Sequence, residues 1–261
     1  MPTFRADDGV EIWYDVAAAD RPDADHLSPP VLLHHGFGAS SEIDWVAPGT
    51  TAALAAAGRR VVRWDARGHG RSSKPHDPAR YGLLRLSDDV RLLLDLLEVP
   101  RIDLAGYSMG GVVALLTAAR DPRVRRLVVG GIGAGAVEQG GLDHRALAPG
   151  MLREALLAED PATVTDPVAA AFRAFADSVG SDRTALAALA STLHDDRLPL
   201  DAVTVPTLVL AGRADPLATG PEVLASALPD AGLLLLDGDH GGVLQLPAFA
   251  GAIVSFLAEG L

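Results

Sequence analysis

The chain has 261 residues, is 49% hydrophobic, carries a formal net charge of −12 and contains no cysteine. That length and apolar content suit one α/β domain, with or without an insertion, and argue against disorder. The acidic balance speaks against nucleic acid or an anionic membrane surface as partner, and the missing cysteines exclude disulfides, thiolate catalysis and cysteine-bound metals.

Residues 3–6 and 11–16 read as two strands joined by Asp7-Asp8-Gly9, an antiparallel hairpin. The opening segment has acidic residues and lacks the basic start and apolar run of a secretion signal. No apolar stretch is long enough to span a bilayer, so a cytoplasmic protein with no membrane partner is expected. A Pro- and Asp-rich loop over 18–30 leads into an apolar strand at 31–34. A helical pattern over 45–57 closes at Gly58, and a strand at 60–64 and a loop over 65–78 follow. Residues 86–97 form an amphipathic helix with Ser87 and Asp88 placed in its first turn. Next come a strand at 102–105, a helix at 109–120 and a strand at 124–129.

The alternation then stops. From about 131 to 200 the chain is Ala-rich and helical, with stretches such as 168–179 and 183–193, and has no strand runs. It resumes with strand 207–211, helix 221–228, strand 232–236 and a closing helix over 247–259. Eight strands alternating with helices predict a mostly parallel sheet flanked by helices. The interruption predicts a helical cap over 131–200, inserted into a core made of 1–130 and 201–261.

Gly106-Tyr107-Ser108-Met109-Gly110 fits the G-x-S-x-G pattern, which by itself is weak in a chain with 27 glycines. Its context sharpens it. An apolar strand runs into the motif and an Ala/Leu/Val helix leaves it, so Ser108 sits on a tight strand-to-helix turn with its hydroxyl projecting. Small neighbours let strand and helix approach, and the helix start presents N–H groups where an anion would form.

Serine needs a base, and the base needs an orienting group. Among the eight histidines only His240 follows the last strand, in Asp237-Gly238-Asp239-His240-Gly241. The preceding strand ends in Gly212-Arg213-Ala214-Asp215-Pro216, where Asp215 is the one carboxylate. The other place for the acid, after the sixth strand, is Gly130-Gly131-Ile132-Gly133 and offers none. Asp237 and Asp239 read as loop-forming or supporting residues.

His34-His35-Gly36-Phe37-Gly38 follows the third strand, and the backbone N–H groups of Phe37 and Met109 would form an oxyanion hole. Adjacent histidines at a strand end face opposite ways, so no metal is expected there. The loop Asp65-Ala66-Arg67-Gly68-His69-Gly70-Arg71-Ser72 lacks P-loop spacing; Asp65 and Arg67 are expected to tie loops beneath the site, with His69 in that network.

Taken together, His35-Gly36, the 65–72 loop, Gly106 to Gly110, Asp215 and His240 resemble the α/β-hydrolase superfamily over nearly the whole chain. The likeness is nearest to small bacterial carboxylesterases, lactonases and cofactor-free haloperoxidases. It implies an α/β-hydrolase fold, a cap over the site, no cofactor, and a triad carried onto Ser108, His240 and Asp215. Epoxide hydrolases and haloalkane dehalogenases share the fold with an aspartate nucleophile, and Ser108 argues against both. Candidate pocket residues are His34, Phe37, Tyr107, Met151, Leu152, Phe172 and Phe175, although the helical spacing of the last four suits cap-to-core packing equally well. The expected reaction is hydrolysis of a carboxylic ester or lactone of a small, largely apolar molecule through an acyl-enzyme. Two other readings stand beside it: perhydrolysis, acyl transfer or cyclisation on the same triad, and a ligand-binding sensor with negligible turnover.

Overall fold

Short runs of branched apolar residues build a single eight-stranded sheet in the computed structural model, which describes residues 2–18, 28–193 and 197–259. The strands are β1 (Thr3–Arg5), β2 (Glu11–Ala17), β3 (Val31–His34), β4 (Val61–Trp64), β5 (Ile102–Tyr107), β6 (Val124–Gly130), β7 (Thr207–Gly212) and β8 (Ala231–Leu236). Their order is β1-β2-β4-β3-β5-β6-β7-β8. β1 with β2 and β2 with β4 are antiparallel, and the pairs from β4 with β3 to β7 with β8 are parallel.

β5 lies in the middle, paired to β3 and β6, and all six of its residues are buried. Side chains alternate across it: Ile102 and Leu104 join the core on one face, Ala105 and Tyr107 the core on the other. The first core packs β5 and its neighbours against α2 (Leu83–Leu96) and α3 (Met109–Arg120). The second holds Leu54 of α1 (Thr50–Ala56) against Phe249, Ile253 and Leu257 of α9 (Pro247–Ala258). The odd residue in β5 is Asp103, which is buried and held by the guanidinium groups of Arg59 and Arg125.

Between β6 and β7 lie α4 (Ala134–Glu138), α5 (Met151–Leu157), α6 (Pro167–Ser178) and α7 (Arg183–Ala190); α8 (Pro221–Ala227) connects β7 to β8. Aspartates start α6 and α7: Asp166 accepts the Ala169 N–H at 2.8 Å and Asp182 accepts the Ala185 N–H at 3.0 Å. Apolar faces rich in Ala and Leu then pack α5 against both.

Three local expectations differ from the structure. The helix expected over 45–57 is two pieces, a π-helical turn (Glu42–Val46) and α1. Pro48 offers no N–H to continue the first piece, and Gly49 at φ 89° turns the chain. α2 begins at Leu83, so Ser87 and Asp88 lie inside it rather than capping it; buried Ser87 instead meets Thr117 and Arg120, each at 3.0 Å. The helix expected over 183–193 ends at Ala190. Most of the expected 18–30 loop, and residues 194–196 of the 131–200 segment, lie outside the described residues.

Candidate active site

β5 delivers Ser108 to the carboxyl edge of the sheet in a conformation that L-residues avoid, φ 53° and ψ −121°. Such a residue costs about 1–3 kcal/mol and persists only where its surroundings over-determine it. Here they do. The Ser108 N–H donates to the Gly130 carbonyl at 2.7 Å. A Cβ on Gly106 would overlap the Gly110 carbonyl oxygen, and one on Gly110 would overlap that of His34. The elbow thus closes with backbone against backbone, and both glycines of the motif are spatially required.

His240 and Asp215 reach this edge from two other loops. Asp215 lies three residues beyond β7, with Oδ1 accepting the Leu217 N–H at 2.9 Å and Oδ2 standing 2.8 Å from His240 Nδ1. Its side chain is fully buried, while the imidazole is partly open. The Tyr107 hydroxyl donates to the His240 carbonyl at 2.5 Å, and its ring lies 5.1 Å from the imidazole. Burial pushes that phenol well above its ordinary range, and the carboxylates of Asp215, Asp44 and Asp239 add to the effect. Tyr107 is therefore a neutral donor that pins the histidine loop. Asp239 shapes the loop by accepting the Gly242 N–H at 2.7 Å, while Asp237 points outward toward Arg213.

The turn after β3 approaches from the opposite side. His35 Nε2 accepts the Ala66 N–H at 2.9 Å, which leaves the ring proton on Nδ1 to donate to the Gly36 carbonyl at 2.8 Å. Gly36 in turn donates its N–H to Asp44 Oδ2 at 2.7 Å. Among the described residues, neither the Phe37 nor the Met109 backbone N–H has an acceptor.

Beneath the turn, Asp65 accepts from Ser41 N–H, Ser41 Oγ and Arg71 N–H at 2.9, 2.7 and 2.9 Å. Burial works to raise this carboxyl, but these hydrogen-bond donors hold it below its usual value. Arg67 bridges Asp89 and Asp8, at 2.6 Å and 2.7 Å. Asp89 is nonetheless pushed up to about 6 by burial, against the pull of Arg67. His69 stacks edge-on between His35 and Phe37; burial brings it down to about 3 and keeps it neutral.

Two spaces meet at Ser108. The larger, about 540 Å³, is bordered by Phe37, Tyr107, Phe172, Phe175 and His240, among others. The smaller, about 50 Å³, is an apolar recess against Met109, Val112, Ile132 and Leu152. Of the seven pocket residues expected from sequence, Phe37, Tyr107, Leu152, Phe172 and Phe175 border these spaces. His34 and Met151 do not. His34 is fully buried, its ring edge-on to Trp64 at 4.8 Å, because alternation along β3 turns it away from the chamber. Met151 packs on the core from the first turn of α5, and its neighbour Leu152 takes the wall position. Sequence reasoning missed Asp44. Its signal was a single carboxylate between Ile43 and Trp45, close behind the Gly36 turn.

The family described as the alpha/beta hydrolase fold matches residues 29–174. The chain is 34% identical over 252 residues to the proposed carbamate hydrolase RutD of Variovorax paradoxus (strain S110), an alignment covering 88% of this chain and 91% of that protein. It spans 58% of the length of another curated relative that it matches. Among solved structures it is similar to a hydrolase from Pseudomonas aeruginosa PA01, with a TM-score of 0.79, 32% identity and 98% of each chain covered. It is also similar to the enol-lactonase from Burkholderia xenovorans LB400, with a TM-score of 0.74, 27% identity, and 99% of this chain and 100% of that one covered. With the sheet order, the strained serine elbow and these matches in agreement, the chain belongs to the alpha/beta hydrolase fold family.

Proposed function

We propose that the protein is a serine hydrolase that cleaves a carboxylic ester or lactone of a small, largely apolar molecule. The observation that carries this reading is the 2.8 Å hydrogen bond between His240 Nδ1, which donates, and Asp215 Oδ2, with His240 and the strained Ser108 bordering one chamber. Asp215 holds the proton on Nδ1, so Nε2 is the free base. His240 takes the Ser108 proton as Oγ attacks the carbonyl, and the oxyanion rests on the N–H groups of Phe37 and Met109. Collapse breaks the acyl–oxygen bond, and the proton passes from His240 to the leaving alkoxide. Water, activated by the same imidazole, then releases the acid and restores the serine.

Residues 131–200 serve as a cap over a core of 1–130 and 201–261. In support, Phe172 and Phe175 of α6 and Leu152 of α5 border the spaces at Ser108.

The test is hydrolysis of p-nitrophenyl acetate and butyrate, together with labelling by a fluorophosphonate. The wild type is expected to turn over and to be labelled at Ser108. Ser108→Ala is expected to lose about 10⁵-fold or more in kcat and all labelling. Full turnover in that variant would overturn the proposal.

A further inference from the structure

Among the described residues, Asp44 is the one ionisable group of the larger chamber that neither acts in the acyl-transfer scheme nor braces the histidine loop. It lies within the π-helical turn Glu42–Val46, an irregularity that recurs at functional sites, and is 5% exposed. A methyl group placed on Gly36 would stand 3.4 Å from Asp44 Oδ2 and 3.2 Å from Ser108 Cβ. Carboxyl and nucleophile therefore flank one point. Among the described residues the chamber has no lysine or arginine in its lining, and its other titratable groups are Tyr107, Asp239 and His240. Burial raises the Asp44 carboxyl, and the Gly36 N–H with the nearby His35 and His240 offset this only in part. A carboxylate so placed is costly unless a cation meets it.

The two spaces also differ in which half of a substrate they can take. His240 must protonate the leaving oxygen, and it borders only the larger chamber. The leaving alcohol therefore lies in the larger chamber with Asp44, and the acyl group in the recess of about 50 Å³. A recess of that size suits an acyl group of very few carbons, since about 150 Å³ holds a benzene.

We propose that Asp44 makes the enzyme selective for short-acid esters whose alcohol half carries an ammonium group, which the carboxylate holds while Ser108 is acylated. This rests on the serine-hydrolase chemistry proposed above and narrows its substrate to an ester whose small acyl half is apolar and whose alcohol half is cationic. The Ser108 Oγ–acyl bond forms, the ester C–O bond breaks, and His240 returns the serine proton to the departing amino alcohol. The chamber is otherwise lined by aromatic and aliphatic side chains, Phe172 and Phe175 among them.

The experiment compares 2-(dimethylamino)ethyl acetate, cationic at neutral pH, with its uncharged isostere 3-methylbutyl acetate and with 2-hydroxyethyl acetate. In the wild type, kcat/KM is expected to favour the cationic ester over its isostere by about tenfold or more, mainly through KM. In Asp44→Asn, which keeps an acceptor for the Gly36 N–H and removes the charge, that ratio is expected to fall to about one. Because each ratio is taken within one protein, a general effect of the substitution cancels. A wild-type ratio near one, or a ratio unchanged in Asp44→Asn, overturns the inference. A preference shown only for the hydroxyethyl ester overturns it too, in favour of a neutral donor. If none of the esters turns over, calorimetric Kd values of the same three for Ser108→Ala and for Ser108→Ala/Asp44→Asn read the ratio without chemistry. Equal Kd values then count against Asp44, whereas absent turnover and absent fluorophosphonate labelling count against the serine hydrolase itself.

Discussion

The elbow after β5 and the helical segment between β6 and β7 border the same chamber, but different physics holds them in place. At the elbow, backbone meets backbone: Gly106 against Gly110, Gly110 against the end of β3, and Ser108 strained between them. In the segment, side chain meets side chain. α6 hangs Phe175 over Gly38 and Phe172 over Phe37, whose rings lie 5.9 Å apart, while Ala and Leu faces pack α5 against α6 and α7. The first arrangement tolerates almost no change of volume. The second can be reshaped one side chain at a time, which suits a surface that selects substrates.

The largest expected effect tests the rigid side of that contrast. Asp215→Asn should keep the fold but cost about 10⁴-fold in kcat on p-nitrophenyl acetate, because the amide no longer favours the required imidazole tautomer. Steady-state kinetics with a circular dichroism control would show it, and a loss of less than tenfold would separate Asp215 from the chemistry. Gly106→Ala should then unfold the elbow from within. Its methyl overlaps a carbonyl oxygen that cannot retreat, at an expected cost of about 3 kcal/mol or more in urea denaturation.

A smaller, pH-dependent effect comes from beside both regions, where Phe37 meets Phe172 of α6 on one side and His69 on the other. His69 is neutral in the fold, brought to about 3, against a free value near 6.5. Between those values the unfolded chain binds a proton that the native one refuses. The native state therefore loses stability as pH falls below about 6.5, and the contribution is complete above it. From pH 6.5 to pH 5 the loss is roughly 2 kcal/mol. His69→Gln should flatten the urea-derived stability profile by about that amount. Buried Asp89, raised to about 6, contributes with the opposite sign in both proteins and cancels in the difference.

The smallest effect belongs to the adaptable side. Phe172→Ala should enlarge the chamber, leave kcat on p-nitrophenyl acetate within about tenfold, and shift chain-length preference toward longer esters. A loss as large as that of Asp215→Asn would erase the distinction drawn above.

Legibility in the sequence follows the same line. Short apolar runs and the strand–serine–helix context were readable because they answer to local rules, and β5, α3, β7 and β8 lie where those rules put them to within about two residues. His240 and Asp215 were readable because strand order in such a sheet dictates which loops share its carboxyl edge. The split of the 45–57 helix also had a local cause, in Pro48 and Gly49, yet its consequence did not. Only the folded chain shows that the resulting π turn aims Asp44 at the chamber, or that His34 turns away and Leu152 replaces Met151 at the wall. Local propensity and alternation set the elements and the order of the loops. Which side chain of an Ala-rich helix faces the serine, and which carboxylate is buried without a cation, depends on packing between segments far apart in the chain, where no local rule operates.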